Sequence, residues 1–179
     1  VPQGGPTMRW TRRARRVVVA VLPVLLACGV PHGRHVLARV ESPPDQFNVL
    51  PPCDTEHPIP AEGLCRGTQW SSPTTTVSGD WVGHSEYTIG WITVPSGDTF
   101  AASLETFTGT VKGCGTGTMT YRQYGTADKK GNMRFEWQVI DGLGTGELRG
   151  LRGRGTFTGA SRPDQTSIGQ FEGNVECGK

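Results

Sequence analysis

The chain predicts an all-β fold on three observations. Large apolar residues alternate with period two from about Thr68 onward, Gly-rich turn signals interrupt them at near-regular spacing, and no stretch after Cys65 holds a helical repeat. Seven or eight short strands follow, arranged as an antiparallel barrel or sandwich. Closure into a barrel is favoured because it leaves no unpaired edge strand, and roughly 110 residues suffice for eight strands of ordinary length.

Tyr87, Ile89 and Trp91 alternate with Thr88, Gly90 and Ile92. Pro95-Ser96-Gly97-Asp98 is a turn, after which Phe100, Ala102 and Leu104 share one face. Met119 and Tyr121 share a face in the next run, Lys129-Lys130-Gly131-Asn132 turns the chain, and Phe135, Trp137 and Val139 again lie together. Phe157, Phe171 and Val175 complete the series.

The N-terminal third reads differently. After Met8 come Arg9, Arg12, Arg13, Arg15 and Arg16, then an uncharged apolar run from Val17 to Ala27, then Cys28. A basic segment followed by a short apolar one is the pattern of an export signal, far short of the roughly 20 residues of a membrane-spanning helix. Residues 1–38 are therefore expected to be a signal region. Leu25-Leu26-Ala27-Cys28 resembles the lipobox of bacterial lipoproteins, with Cys28 as the lipidated residue, and cleavage after Val36-Leu37-Ala38 is the alternative. Either route places the protein outside the cytoplasm, secreted or anchored to the envelope by a lipid. Residues 39–67, with Pro43-Pro44, Pro51-Pro52, Pro58 and Pro60, have the composition of a linker or pinned arm, leaving 68–179 for the barrel.

Export changes the charge balance. The formal charge of +2 includes five arginines ahead of Cys28 and no acidic residue there, so a chain beginning at Cys28 carries −3. Net basicity thus gives no argument for nucleic acid as a partner. Cys53, Cys65, Cys114 and Cys177 are expected to form two disulfides, as suits an oxidising compartment. Three pairings are open, with Cys53 to Cys65 and Cys114 to Cys177 preferred.

Two segments carry a resemblance. Thr106-Phe107-Thr108-Gly109-Thr110-Val111-Lys112-Gly113 precedes a Trp137-containing strand, and Gly144-Thr145-Gly146-Glu147-Leu148-Arg149-Gly150-Leu151-Arg152-Gly153 follows it. Over about Gly83 to Cys177 their order and spacing resemble the bacterial domain-of-unknown-function family 3224, assigned to the allene oxide cyclase-like barrels. The resemblance implies an eight-stranded barrel with a small apolar interior. Some related barrels hold a reactive intermediate while it cyclises without a cofactor, but fold alone does not carry that activity over. The export signal, the Pro-rich arm and the four cysteines also depart from the family's cytoplasmic pattern.

Several chemistries can be weighed residue by residue. Gly142-Leu143-Gly144-Thr145-Gly146 would need a following helix to bind a dinucleotide, and the glycine-rich Arg149 to Gly159 cannot sustain one. It reads as a tight connection in which Glu147 bonds turn amides. Arg149, Arg152 and Arg154 among glycines suggest a solvated barrel rim rather than a nucleic-acid segment. The globular part offers only His57 and His84 and no Cys-x-x-Cys pair, so neither metal nor cofactor is expected. No Gly-x-Ser-x-Gly elbow is present.

Carboxylates on strands remain. Glu86 and Glu136 alternate away from their apolar neighbours and should face solvent, as should Glu172. Glu105 lies opposite Leu104 but shares a face with Phe107, leaving its side open and making it the one catalytic candidate. Tyr87, Trp91, Tyr121, Phe135 and Trp137 either line a ligand cavity or fill the barrel. The leading expectation is an exported barrel that binds a small apolar molecule or an extracellular partner without catalysis. A cofactor-free cyclase or isomerase is the alternative, and a solid envelope module is the third. An open apolar cavity with a buried carboxylate favours the enzyme, one without it favours binding, and a filled interior favours the module.

Overall fold

The structure is a computed structural model that describes residues 33–44, 48–50, 65–69 and 74–178. Its elements are β1 (Arg34–Ser42), β2 (Asn48–Leu50), β3 (Cys65–Gln69), β4 (Thr75–Gly79), β5 (Trp81–Thr93), β6 (Thr99–Val111), β7 (Gly115–Ala127), β8 (Asn132–Val139), β9 (Thr145–Gly146), β10 (Arg152–Ser161) and β11 (Ser167–Glu176). Neighbours run β5-β4-β1-β11-β10-β8-β7-β6, and β6 pairs back onto β5, closing an antiparallel barrel of eight strands. The β2–β3 ribbon adds to β5 at Ile89–Thr93, beyond the Gly83–Ser85 stretch that pairs with β4.

Alternation sends one face of each strand inward. The sealed interior holds Trp81, Phe107, Met119, Tyr121, Trp137, Phe171 and Val175, all at most 1% exposed. Trp81 is its hub, with ring centroids 5.2 Å from Phe171, 5.3 Å from Trp137 and 5.9 Å from Phe107. Trp137 donates its indole N–H to Thr156 O at 3.1 Å. Its ring occupies space that side chains on β10 and β11 would need: a Cβ at Gly155 would lie 2.8 Å from Cε2, and one at Gly173 2.5 Å from Cζ2. The glycines of these strands therefore make room for a large ring.

Two sequence expectations are corrected. Residues 34–42 are a barrel strand rather than parts of a signal and an arm, so the barrel begins at Arg34 and not at 68. Val36, Ala38 and Val40 alternate inward and are buried, and β1 pairs with both β11 and β4. Proline-rich composition begins only at Pro43, and the alternation of the short strand before it lay hidden in the assumed signal. Cleavage after Ala38 would divide that strand.

The second correction concerns β6. Phe100, Ala102 and Leu104 do share a face, but it is the outer one, with Phe100 53% and Leu104 49% exposed. Ala101, Ser103, Glu105 and Phe107 point inward instead. Outside, Phe100 lies beside Ile92, and Ala102 beside Tyr124.

Both turns read from the sequence are present. Ser96 Oγ donates to Asp98 Oδ2 at 2.8 Å, and Asp128 Oδ1 accepts from the Lys130 and Asn132 amides at 2.8 and 2.9 Å. Cys114 and Cys177 form a disulfide with Cα atoms 5.1 Å apart, joining the β6–β7 turn to the end of β11 on the opposite wall. The export segment with Cys28, the Cys53 to Cys65 pairing and His57 lie outside the described residues.

Candidate functional site

The two ends of the barrel differ. At one, the connection from β8 to β10 folds under the barrel and inserts Leu148 and Leu151, 0% and 2% exposed. This connection holds Gly144, Thr145, Gly146, Glu147, Leu148 and Gly150, and Gly153 follows it in β10. Thr145 and Gly146 pair with β7 as β9, the Thr145 hydroxyl meets that of Thr118 at 2.7 Å, and Glu147 Oε2 accepts from the Thr116 amide at 2.8 Å. Gly146 has φ 59°, and a Cβ there would lie 2.6 Å from Thr116 O. No helix follows, so the loop has no ring of free amides for a phosphate and serves instead as a plug. Arg152 bonds Asp141 at 2.8 Å, and Arg149, Arg152 and Arg154 are exposed.

Toward the other end the interior opens into a cavity of about 120 Å³. Tyr87 and Ile89 from β5, Phe135 from β8, Phe157 from β10 and Phe171 from β11 form its apolar wall. Phe171 is the partition, stacked on Trp81 below and lining the cavity above. Ser103 and Glu105 from β6 and Gln123 from β7 supply one polar side, and the hydroxyls of Ser42, Thr75, Ser161 and Ser167 also line the cavity.

Glu105 is 7% exposed and Gln123 8%. Tyr121 Oη donates to Glu105 Oε2 at 2.6 Å, Ser103 Oγ donates to Oε1 at 3.2 Å, and Gln123 Nε2 also donates to Oε1. Register explains the convergence, because Glu105 stands directly opposite Tyr121 on β7 and Tyr87 on β5, with Ser103 opposite Gln123. Burial raises the Glu105 carboxyl above its ordinary range, and the hydrogen bonds from Tyr121, Gln123 and Ser103 pull it partly back. Burial also pushes the Tyr121 phenol well up, helped by the neighbouring Glu105 charge, so Tyr121 remains a donor. Gln123 Oε1 is buried without a hydrogen-bond partner.

Of the expected ligand-facing aromatics, Tyr87 and Phe135 line the cavity. Tyr121 lies behind Glu105, Trp137 belongs to the filled half, and Trp91 is not among the lining residues. Glu86, Glu136 and Glu172 are exposed, as is His84, and Glu105 is the inward carboxylate. The sequence reading missed Gln123, Ser103, Phe157 and Phe171 as cavity residues. A signal for Glu105 was available: Thr106, Thr108 and Thr110 form a hydroxyl-bearing face, which leaves Glu105 and Phe107 for the interior. Gln123 follows from the same parity as Met119 and Tyr121. Among the described residues no three potential metal ligands converge, and one buried carboxylate with neutral neighbours is a poor site for a metal ion.

No curated protein matches the chain. A crystal structure of a protein of unknown function from the DUF3224 family of Shewanella oneidensis MR-1 is similar in fold. It has a TM-score of 0.54 and 17% identity, covering 79% of this chain and 96% of that one. The family described as "Protein of unknown function (DUF3224)" matches residues 56–168, and with the closed barrel and its glycine-rich plug in place, the chain belongs to that family.

Proposed function

We propose that this protein binds one small, largely apolar molecule in the Glu105 cavity, without a catalytic step, at a location outside the cytoplasm. The observation that carries the reading is a polar cluster around a buried carboxylate set into a cavity whose wall is mainly apolar. Small-molecule sites have this composition, with apolar surface for affinity and a few fixed polar groups for orientation. A volume of about 120 Å³ is somewhat below the roughly 150 Å³ of an engineered cavity that takes benzene, so the occupant is about one ring in size. The basic and apolar N-terminal pattern supports export, as does the Cys114–Cys177 disulfide. An intact β1 further requires any cleavage to fall before Arg34, which suits the Cys28 site and not the one after Ala38.

Native mass spectrometry of protein purified from its own host tests this reading, together with electron density inside the barrel. A co-purified lipophilic molecule at unit stoichiometry is expected. A consistently empty protein whose crystals show no cavity would overturn it.

One observation favours a second reading. A carboxyl with a raised pKa beside a phenol can exchange a proton with a bound molecule, as a cofactor-free isomerase requires. The cavity with a buried carboxylate is also the arrangement expected of an enzyme. Binding ranks first on two grounds: the space is too small to enclose a chain that folds into a ring, and Glu105 already accepts three hydrogen bonds. Turnover of a bound molecule by the unaltered protein, abolished in Glu105→Gln, would promote the enzyme.

A further inference from the structure

The hydrogen-bonding groups around Glu105 are unevenly committed. Tyr121 Oη, Ser103 Oγ and Gln123 Nε2 each donate to the carboxylate. On the accepting side, Gln123 Oε1 has no partner. The amide orientation follows from its neighbour, since an amide oxygen turned toward Glu105 Oε1 would set acceptor against acceptor. A carboxylate has about four lone-pair sites, of which three are taken here.

From this asymmetry we infer that the cavity selects a ligand whose polar end is a hydrogen-bond donor, a hydroxyl or amine on a body of about one ring, and that Gln123 Oε1 and Glu105 receive it. The inference rests on the reading of the cavity as a ligand site and adds the chemistry of the occupant. Beside Glu105, a carbonyl or carboxylate compound of the same size would meet three donor groups already turned to the carboxylate. The cavity hydroxyls farther off are bonded in pairs, Ser42 with Thr75 at 3.0 Å and Ser161 with Ser167 at 3.5 Å. An anion would in addition face the Glu105 charge. A molecule with no polar group would leave Gln123 Oε1 as it is now, buried and unpaired, a costly state that a donor relieves.

The same arrangement of donors bears on catalysis. Acid–base reactions at a carbonyl need donors aimed at the oxygen where negative charge develops. The three donor atoms of this cluster are instead aimed at Glu105, so it is built to hold a donor and not to stabilise an oxyanion.

Phenol, toluene and benzaldehyde serve as probes because they share a ring and differ at one substituent. Titrating each into the full chain at pH 8, followed by heteronuclear NMR, should show phenol binding about tenfold tighter than toluene, the effect of one satisfied hydrogen bond. Benzaldehyde should bind no tighter than toluene. Benzaldehyde binding as tightly as phenol would overturn the inference while leaving the cavity reading in place. Failure of all three to bind would overturn both. In Gln123→Leu, the ratio of phenol to toluene affinity should fall about tenfold, and an undiminished ratio would remove Gln123 as the acceptor. The comparison on the unaltered protein decides the matter even if that variant does not fold.

Discussion

The two ends of this barrel are built from the same eight strands and end in opposite ways. Where β6 turns into β7, the interior is sealed by Leu148 and Leu151, by rings packed around Trp81, and by the disulfide crossing to the end of β11. Where β5, β7 and β10 end, three hairpins spend their polar side chains on local bonds, Ser96 to Asp98, Asp128 to Asn132 and Asp164 to Thr166, and a cavity remains. Strand alternation supplies an apolar interior at both ends. The difference comes from one inserted connection, which carries two leucines under one end and has no counterpart among the described residues at the other. Fully buried rings and leucines are thereby concentrated at the sealed end, while the other holds a void and a carboxyl group.

The harshest way to break the sealed end is to remove its part of β1. A chain starting at Arg39 loses Val36 and Ala38 and leaves the Phe171–Val175 part of β11 without its β1 partner. It should lack a cooperative unfolding transition, whereas a chain starting at Gly33 should keep one. Denaturant titration followed by circular dichroism distinguishes them, and equal stability of the two would mean that β1 is dispensable.

A smaller cut compares the ends directly. Trp81→Ala removes a fully buried ring from the hub and should cost about 3–5 kcal/mol. Ile89→Ala, at a half-buried wall position already facing empty space, should cost only about 1–2 kcal/mol. Equal losses would show that the cavity end is packed as firmly as the plug. Replacing Cys114 and Cys177 together by serine should cost about 2–4 kcal/mol, because the bond closes a long loop with a sequence separation of 63. A bond that merely decorates the surface would cost much less.

The same contrast explains what the sequence made legible. Barrel class, the two predicted hairpin turns and the inward set Met119, Tyr121, Phe135, Trp137, Phe157 and Phe171 follow from alternation, because on those strands apolar means inside. On the cavity half of β6 that equivalence fails. On β6 the inward positions are Ser103 and Glu105 while Phe100 and Leu104 face out, so ranking faces by hydrophobicity alone reverses the strand. Register with β7 restores it, since Glu105 must oppose Tyr121, but pairing is a long-range fact that one strand's pattern does not hold. β1 was missed for another reason: its five-residue alternation from Val36 to Val40 stands beside an apolar export-like run and a proline cluster.

The mildest perturbation sharpens the cavity end alone. The Glu105 carboxyl has a higher pKa in the folded chain than in the unfolded one, so folding favours its protonated form. Its contribution to stability is therefore full below the ordinary carboxylate pKa of 4.5 and is lost as pH rises through the raised folded value. Asp80, Asp128 and Asp164 act in the opposite sense. Their hydrogen bonds lower their pKa values, so their contributions are present above the ordinary aspartate value of 3.8 and lost as pH falls through the lowered ones. The two windows do not overlap, so the difference between the unaltered protein and Glu105→Gln isolates the buried group. Chemical denaturation from pH 4 to 8 should show the unaltered protein losing stability relative to the variant as pH rises, then a plateau. Parallel curves across that range would mean that Glu105 titrates as a solvated carboxylate, and the cavity would lose the buried group on which its proposed selectivity depends.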